Sequence, residues 1–214
     1  MEKEQFIEET EAYLRHIIFA SDCLACYKSI LDGSSKYNNQ INIAPGFFSV
    51  SLHALSKCLC IELSKLFLGS GDEKTMHKFI NVAKANQNIF PKEKISVCDW
   101  EDDSKLPPTQ ITEKINIAKD LQDAEMQLEQ LQPILSRLKG RRDQFLVHND
   151  SKYFDGTNRP EWAFPISISD VQALIYFSAG FCNKLLSYLD NRVVAYRSTN
   201  ADDLEQLLLH VQAN

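Results

Sequence analysis

The stretch AEMQLEQLQPILSRLKGRRDQFLVH, residues 124–148, carries apolar side chains at spacings of four and three. Spacing of this kind is the stripe that one face of an α-helix presents to its neighbours in a helical bundle. The stripe keeps its phase across Pro133, so we expect a kink there and not an end. The pattern predicts a nearly unbroken helix from Ile111 to about His148. Its apolar positions are Ala124, Leu128, Leu131, Leu135, Leu138 and Phe145.

Similar stripes predict other helices on both sides of this stretch, over about residues 3–31, 45–68, 72–85, 170–189 and 202–211. The segment FFSVSLHALSKCLCIELSKLFL, residues 47–68, is apolar around most of its circumference, which is typical of the central helix of a bundle. Residues 86–110 and 149–168 are predicted to be irregular loops, because they combine Pro or Gly with polar residues. No stretch is a convincing strand.

These elements predict an all-α fold, an antiparallel helical bundle of five to six helices. We expect a single domain over residues 1–214, with a core of about 4–190 followed by the short C-terminal helix. In this bundle the leucines of the stripe should be buried against the helix that carries Leu55, Leu59 and Leu63.

The composition, 44% hydrophobic and 24% charged residues, is typical of a globular protein. The N-terminal MEKEQFIEETE lacks the layout of a secretory signal, and no run reaches the roughly 18 apolar residues that span a bilayer. We therefore expect a cytoplasmic protein without membrane contact. A net charge of −6 argues against an indiscriminate nucleic-acid binder, although it leaves room for a small basic cleft.

The cysteine pattern indicates free thiols. Cys23 and Cys26 lie in one predicted helix, and Cys58 and Cys60 lie in another. Four thiols are enough for a zinc site, but nothing else in their spacing is typical of a metal knuckle. We predict small buried side chains in a reducing compartment, with no metal and no other cofactor.

Arg142 interrupts the apolar stripe, four residues after Leu138 and three before Phe145, where a leucine is expected. A guanidinium at such a position is costly unless it is paired or used. His148 borders the same face near the predicted helix end. A permanently charged side chain and a titratable one are therefore expected to converge in one cleft, with Asp143 placed to orient one of them.

Other interpretations of these residues stay open. The long Arg142 side chain can reach water from the edge of the stripe, and the helix dipole alone favours a His near a C-terminus. Glu62, inside the apolar second helix, is either a partner of Arg142 across the bundle or a residue at an exposed edge. The chain has no Gly-rich phosphate loop, GxSxG or HExxH sequence, which argues against the common nucleotide-binding, hydrolase and metalloprotease classes.

The stretch RDQFLVHND, residues 142–150, resembles the motif of the HEPN superfamily, an Arg, a polar residue and a His at short spacing. Arg142, Asp143 and His148 occupy these positions, with five residues between the Arg and the His. The segment ALSKCLCIELSKLF, residues 54–67, resembles an early helix of the abortive-infection, AbiU-type branch. The resemblance covers about Phe6 to Leu189.

The resemblance implies a homodimer in which the Arg/His pairs of two chains share one cleft. Many members are metal-independent endoribonucleases of antiphage or toxin–antitoxin systems, so RNA is the expected substrate and an antitoxin protein an expected partner. His148 would then move the proton and Arg142 would brace the phosphate, leaving a 2′,3′-cyclic phosphate. The supporting residues would be Asp143, Asn149 and Asp150, and the candidate RNA contacts Arg141, Lys139 and Lys152.

Two alternatives to the ribonuclease come from other functional classes. A non-catalytic HEPN module would bind RNA, a nucleotide or a protein partner, which the acidic net charge and the modest basic patch favour. A purely structural bundle would carry Arg142 and His148 incidentally.

Overall fold

Helices make up most of the computed structural model, which describes residues 1–69, 71, 73–98, 109–143, 163–196 and 203–212. The all-α prediction is therefore confirmed. Two short strands form an antiparallel hairpin, β1 (Glu93–Cys98) and β2 (Thr109–Lys114). The helices are α1 (Lys3–Lys36), α2 (Asn38–Ile41), α3 (Pro45–Phe67), α4 (Met76–Ala85), α5 (Ile117–Gln130), α6 (Gln132–Arg142), α7 (Ile168–Leu189) and α8 (Asp203–Gln212).

Helices α1 and α7 form the centre of the core. Apolar residues of α7 are buried along the whole helix, and Leu174, Cys182 and Leu185 are fully covered. The helix begins at Ser167, which forms a capping box with Asp170 and so satisfies free N–H groups of the first turn. Helix α1 packs along both α7 and α3 and so connects these two helices.

Stacked aromatic rings fix the position of α4 against the core. The Phe79 ring of α4 lies 4.4 Å from the Tyr13 ring and 5.3 Å from the Phe6 ring, both on α1. It also meets the edge of the Phe181 ring of α7 at 5.9 Å. Aromatic pairs in these arrangements add to the stabilisation that burial gives. The packing of α4 against the core therefore fixes where the segment between α3 and α4 ends.

The apolar stripe packs largely as predicted. Helix α6 lies against α3, with Leu135 and Leu138 buried on one side and Leu59 and Leu63 on the other. Leu128 is also buried, whereas Leu131 and Leu55 are partly buried. The helix divides at Leu131 into α5 and α6, two residues before Pro133. Backbone hydrogen bonds from Leu131 to Gln127 and from Leu135 to Leu131 run through the break, so the chain bends there and does not stop.

The hairpin corrects the prediction for residues 86–114. Residues 93–98 form β1 where an irregular loop was expected, and residues 109–114 form β2 where the long helix was expected to begin. Each strand spans six residues, and the β-branched side chains of Ile111 and Thr112 favour extended backbone. Neither EKISVC nor TQITEK alternates strictly between apolar and polar residues, so the pattern that predicts a strand is weak in both.

Helix α1 continues five residues beyond its predicted end at Leu31 and passes through Gly33 without a turn. A small second core explains the extension, because it packs the last turns of α1 against α2, α3 and α8. Its buried residues are Ile30, Tyr37, Ile41, Phe48 and Leu208. The bounds of the other helices lie close to the prediction.

The expectation that α3 lies at the centre of the bundle is wrong. Its C-terminal half is buried, with Leu63 and Leu66 almost fully covered, but Phe47 and Val50 in the N-terminal half are 67% and 69% exposed. By length and composition α3 is apolar enough to cross a membrane, and 28% of its most apolar window is buried in the protein. One side of this helix is therefore an apolar surface.

We predict that shortening a side chain of α3 costs much more stability in its buried C-terminal half than in its exposed N-terminal half. Leu63→Ala leaves a cavity and should lower the free energy of unfolding by about 2–5 kcal/mol. In protein dilute enough to be monomeric, Val50→Ala removes an exposed side chain and should change the free energy of unfolding by less than about 0.5 kcal/mol. Urea denaturation of both variants measures the difference. Equal losses for the two variants would contradict this burial pattern.

Candidate functional site

Arg142, the last residue of α6, binds the end of α3. Its Nη1 donates to the Leu68 carbonyl at 2.6 Å, and its Nε donates to the Asp143 carboxylate at 2.7 Å. Nη2 lies 2.6 Å from the same carboxylate oxygen. Leu68 caps the C-terminus of α3, where carbonyl groups lack intrahelical partners and the helix dipole favours a cation.

The guanidinium of Arg142 lies where the buried stripe reaches the surface. Leu138, one turn earlier, is 1% exposed, whereas the Arg142 side chain is 28% exposed. A guanidinium has five N–H donors, and the contacts with Leu68 and Asp143 use three of them. Among the described residues, these are the contacts that the structure gives for Arg142, and they fix the orientation of its side chain.

An open pocket of 510 Å³ adjoins Arg142 at the end of α3. Lys65 and Lys74 bring two further cations to it, and each is held by a carboxylate. Lys65 pairs with Glu62 at 2.6 Å and Lys74 with Glu9 at 3.1 Å, while both ammonium-bearing side chains stay more than half exposed. Three cations thus face one cavity, which is lined by Ile61, Ser64, Lys65, Leu68, Gly69, Glu73, Lys74 and Arg142.

Ser64 also belongs to this pocket. Ser64 is 5% exposed, and its Oγ forms no hydrogen bond of ordinary geometry with any described residue. Buried hydroxyls in proteins are nearly always hydrogen-bonded. Ser64 lines the cavity, but its Oγ is itself enclosed, and the hydroxyl interacts with the Cys60 thiol, whose pKa it lowers.

Glu62 does not pair with Arg142, so that interpretation is wrong, and it is not at an exposed edge. Its buried carboxylate binds Lys65 and, at 3.1 Å, His16 of α1. Burial alone would raise the pKa of Glu62, but the hydrogen bonds from Lys65 and His16 outweigh it and lower this pKa. Glu62 therefore links α1 to α3 as a carboxylate.

Arg141 and Arg142 serve different surfaces. Arg141 lines a smaller cavity of 90 Å³ on the other side of α6, together with Cys60, Leu63 and Leu138. Burial raises the pKa of the Cys60 thiol, and the positive charge of Arg141 opposes this effect. Lys139 is exposed on α6. The structure therefore does not bring these two candidate RNA contacts to the pocket beside Arg142.

The remaining predicted site residues, His148, Asn149, Asp150 and Lys152, lie outside the described residues. Their approach to Arg142 stays a prediction. Among the predicted residues that the structure describes, Arg142 and Asp143 are in direct contact.

Sequence reasoning missed Ser64, Lys65 and Lys74 as neighbours of Arg142. The signal available was the end of α3, which Gly69 indicates in the sequence, since a helix C-terminus needs donors from elsewhere in the fold. The sequence does not indicate which side chain donates to the carbonyl groups at the end of α3. Among the described residues, no group of three or more His, Cys, Asp or Glu side chains could hold a metal ion.

The sequence model of the HEPN AbiU2 family, described as AbiU2, matches residues 3–207. The chain belongs to the HEPN AbiU2 family. The match begins with α1 and reaches into α8, so this AbiU2 chain is an abortive-infection HEPN domain over nearly its whole length. No curated protein and no solved structure gives a significant match.

The Glu62 contacts of this AbiU2 domain predict a pH-dependent stability. A lowered pKa in the folded state stabilises the fold at pH values above the ordinary carboxyl pKa, and the stabilisation is lost as the pH falls through the lowered value. Glu62→Gln should cost about 1–3 kcal/mol at pH 7, because hydrogen bonds to a charged group are lost.

Urea denaturation at pH 7 and at pH 4 tests this, with Glu129→Gln on the exposed side of α5 as the matched control. The difference in the free energy of unfolding between wild type and Glu62→Gln should be smaller at pH 4 than at pH 7. Glu129→Gln should have the same free energy of unfolding as wild type at both pH values. A gap that widens as the pH falls would contradict the assigned role.

Proposed function

We propose that this AbiU2 protein is a metal-independent endoribonuclease whose cleft is formed around Arg142 and His148. The observation that supports it most directly is the Arg142 guanidinium, which is held by Leu68 and Asp143 and lines an open pocket together with Lys65, Lys74 and Glu73. A cytoplasmic location and an antitoxin partner belong to this proposal as well, and they rest on the sequence and the family.

Arg142 would bind the phosphate at which RNA is cut. The planar guanidinium matches the geometry of phosphate oxygens, and hydrogen bonds between charged groups are the stronger ones. Because Leu68 and Asp143 already orient the side chain, little reorganisation is needed when charge develops on the phosphate. Asp143 and the Leu68 carbonyl therefore act as positioning groups.

Lys65 and Lys74 would bind the RNA backbone next to that phosphate. Both lysines carry exposed ammonium groups at the pocket, and each contact with a phosphate releases counterions, so binding should weaken as salt rises.

His148 would move the protons. In RNA the 2′-hydroxyl attacks the adjacent phosphorus, the bond to the 5′-oxygen breaks, and a 2′,3′-cyclic phosphate and a 5′-hydroxyl result. One group must take the proton from the 2′-hydroxyl and another must give a proton to the 5′-oxygen, which suits imidazoles near neutral pH. A cleft shared by two chains would supply one His148 for each task.

We predict that Arg142→Ala and His148→Ala each lower the rate of RNA cleavage in EDTA by about 10²–10⁴-fold. Arg141→Ala should have a milder effect, because Arg141 lies at the other cavity. Lys119→Ala, an exposed cation on α5, is the matched control and should cleave at the wild-type rate. Cleavage of a labelled RNA by purified protein at micromolar concentration measures all four variants.

Two outcomes would overturn this mechanism. One is cleavage that appears only after magnesium is added, and the other is full activity of the His148→Ala variant. If no RNA is cut but RNA or a protein binds, and Arg142→Ala abolishes that binding, the non-catalytic HEPN module becomes the function.

A second copy of the chain would complete the cleft through the exposed side of α3. Phe47, Val50 and Ile61 follow one another along this side at helical spacing and are 67%, 69% and 41% exposed. Ile61 also lines the pocket beside Arg142, so one end of this side of α3 reaches the proposed active site. Exposed apolar surface of this kind marks an interaction site more often than chance exposure.

We predict that wild-type protein is a dimer by light scattering at micromolar concentration and that Val50→Arg is a monomer. Met126→Arg, which changes an exposed apolar residue of α5, should remain a dimer. A monomeric wild type, or a dimeric Val50→Arg, would contradict the dimer proposal. Binding of wild type to lipid vesicles that Val50→Arg abolishes would assign this side to a membrane surface instead.

A further inference from the structure

Two thiols meet between the helices α1 and α3, apart from the Arg142 site. The Cys23 thiol of α1 donates a hydrogen bond to the Cys58 sulfur of α3, with the two Sγ atoms 3.6 Å apart. The contact between His16 and Glu62 lies further along the same two helices and fixes their register. The two cysteines are therefore held side by side by the packing of the helices that carry them.

The pair differs from the other described cysteines in its surroundings. Cys23 is 6% exposed, whereas Cys58 is only partly buried and can be reached from solvent. Cys26 is exposed one turn after Cys23, and Cys182 is fully buried in α7. For Cys26, Cys60 and Cys182 the structure gives no hydrogen bond to another sulfur atom like the one between Cys23 and Cys58.

We propose that Cys23 and Cys58 are an oxidation site, at which a peroxide converts the two thiols into a disulfide that links α1 to α3. A disulfide needs its sulfur atoms about 2.05 Å apart, so they must approach by about 1.5 Å, which side-chain rotation supplies between helices already in contact. The pair is separated by 35 residues along the chain, so the bond would close a substantial loop.

The reaction is balanced with hydrogen peroxide as the oxidant. Peroxide gives one oxygen atom to the Cys58 sulfur, which forms a sulfenic acid and releases water. The Cys23 sulfur then attacks the Cys58 sulfur, and the oxygen leaves as a second water with the Cys23 proton. The two thiols lose two protons and two electrons, and one peroxide takes them up to become two waters.

Cys58 is the thiol that reacts first. Burial and the hydrogen bond to Cys58 raise the pKa of Cys23 to about 12, so Cys23 is mostly a thiol and attacks only after its neighbour is oxidised. The bond would tie α1 to the helix whose C-terminal carbonyl holds Arg142. Oxidation would therefore stiffen the support of the Arg142 pocket.

The test uses reduced full-length protein treated with hydrogen peroxide, followed by alkylation of free thiols and peptide mass analysis without reduction. The expected product is a peptide pair joined between Cys23 and Cys58 and lighter by two hydrogen atoms, together with a higher melting temperature that dithiothreitol reverses. Cys26→Ser should give the same product. Cys58→Ser and Cys58→Ala should not, and circular dichroism confirms that these variants are folded.

The same treatment in urea shows whether the folded structure directs the oxidation to this pair of cysteines. Unfolded protein should give a mixture of cysteine pairs, and only folded protein should favour the pair of Cys23 and Cys58. The proposal is overturned if Cys26 is the main cross-linked residue in folded protein. It is also overturned if the folded and unfolded chains give the same mixture, or if peroxide oxidises exposed Cys26 fully while Cys23 and Cys58 remain unlinked.

Discussion

The hydrogen bond between the Arg142 guanidinium and the Leu68 carbonyl ties the end of α6 to the end of α3. A helix C-terminus exposes carbonyl groups that need donors, and a cation on another helix supplies one with the favourable sign for the dipole. The same contact sets the direction of the guanidinium. Arg142 thus acts as a structural cap, and its side chain also lines an open pocket.

Both roles of Arg142 follow from its position on the stripe. Leu135 and Leu138 are buried against α3, and Arg142 is one turn further on, where the apolar contact ends. A leucine there would leave the Leu68 carbonyl without this donor. An Arg at the last position of a buried stripe therefore need not be a catalytic residue to be favoured, which is why the proposed reaction needs a chemical test.

The charges around the pocket are compatible with the proposed binding of RNA by an acidic protein. Lys65, Lys74 and Arg142 each have a carboxylate partner, so the net charge of −6 is compatible with a local group of cations. The partner carboxylates hold the cations in place and reduce their attraction for any polyanion. We therefore expect a substrate to bind by matching the spacing of the cations, and non-specific nucleic acid to bind weakly.

Much of the fold could be predicted from the sequence, because long helices repeat their apolar pattern over many turns. The stripe from Leu128 to Leu138 and the contact of α6 with α3 are examples. The apolar composition of α3 predicted that the whole helix is buried, but its N-terminal half lies on the surface. The β-hairpin was missed because neither strand alternates strictly and both sit next to strong helical signals.

The candidate site was only partly predictable for a related reason. Arg142 stood out because it breaks a local pattern, and Asp143 because it is the next residue. The Leu68 carbonyl, Ser64 and Lys74 come from segments remote in sequence, and only the packing of α3, α4 and α6 brings them to Arg142. The sequence left the environment of Glu62 open. Its contacts with His16 and Lys65 depend on how α1 and α3 are aligned against each other.

The central claim is that RNA supplies its own nucleophile in a cleft that contains Arg142. The most direct measurement is the cleavage, in EDTA, of a DNA oligonucleotide that contains one ribonucleotide, with mass analysis of the product ends. The account predicts a single cut on the 3′ side of the ribose, leaving a 2′,3′-cyclic phosphate and a 5′-hydroxyl. Cleavage at deoxyribose positions, or products with a 3′-hydroxyl and a 5′-phosphate, would contradict it.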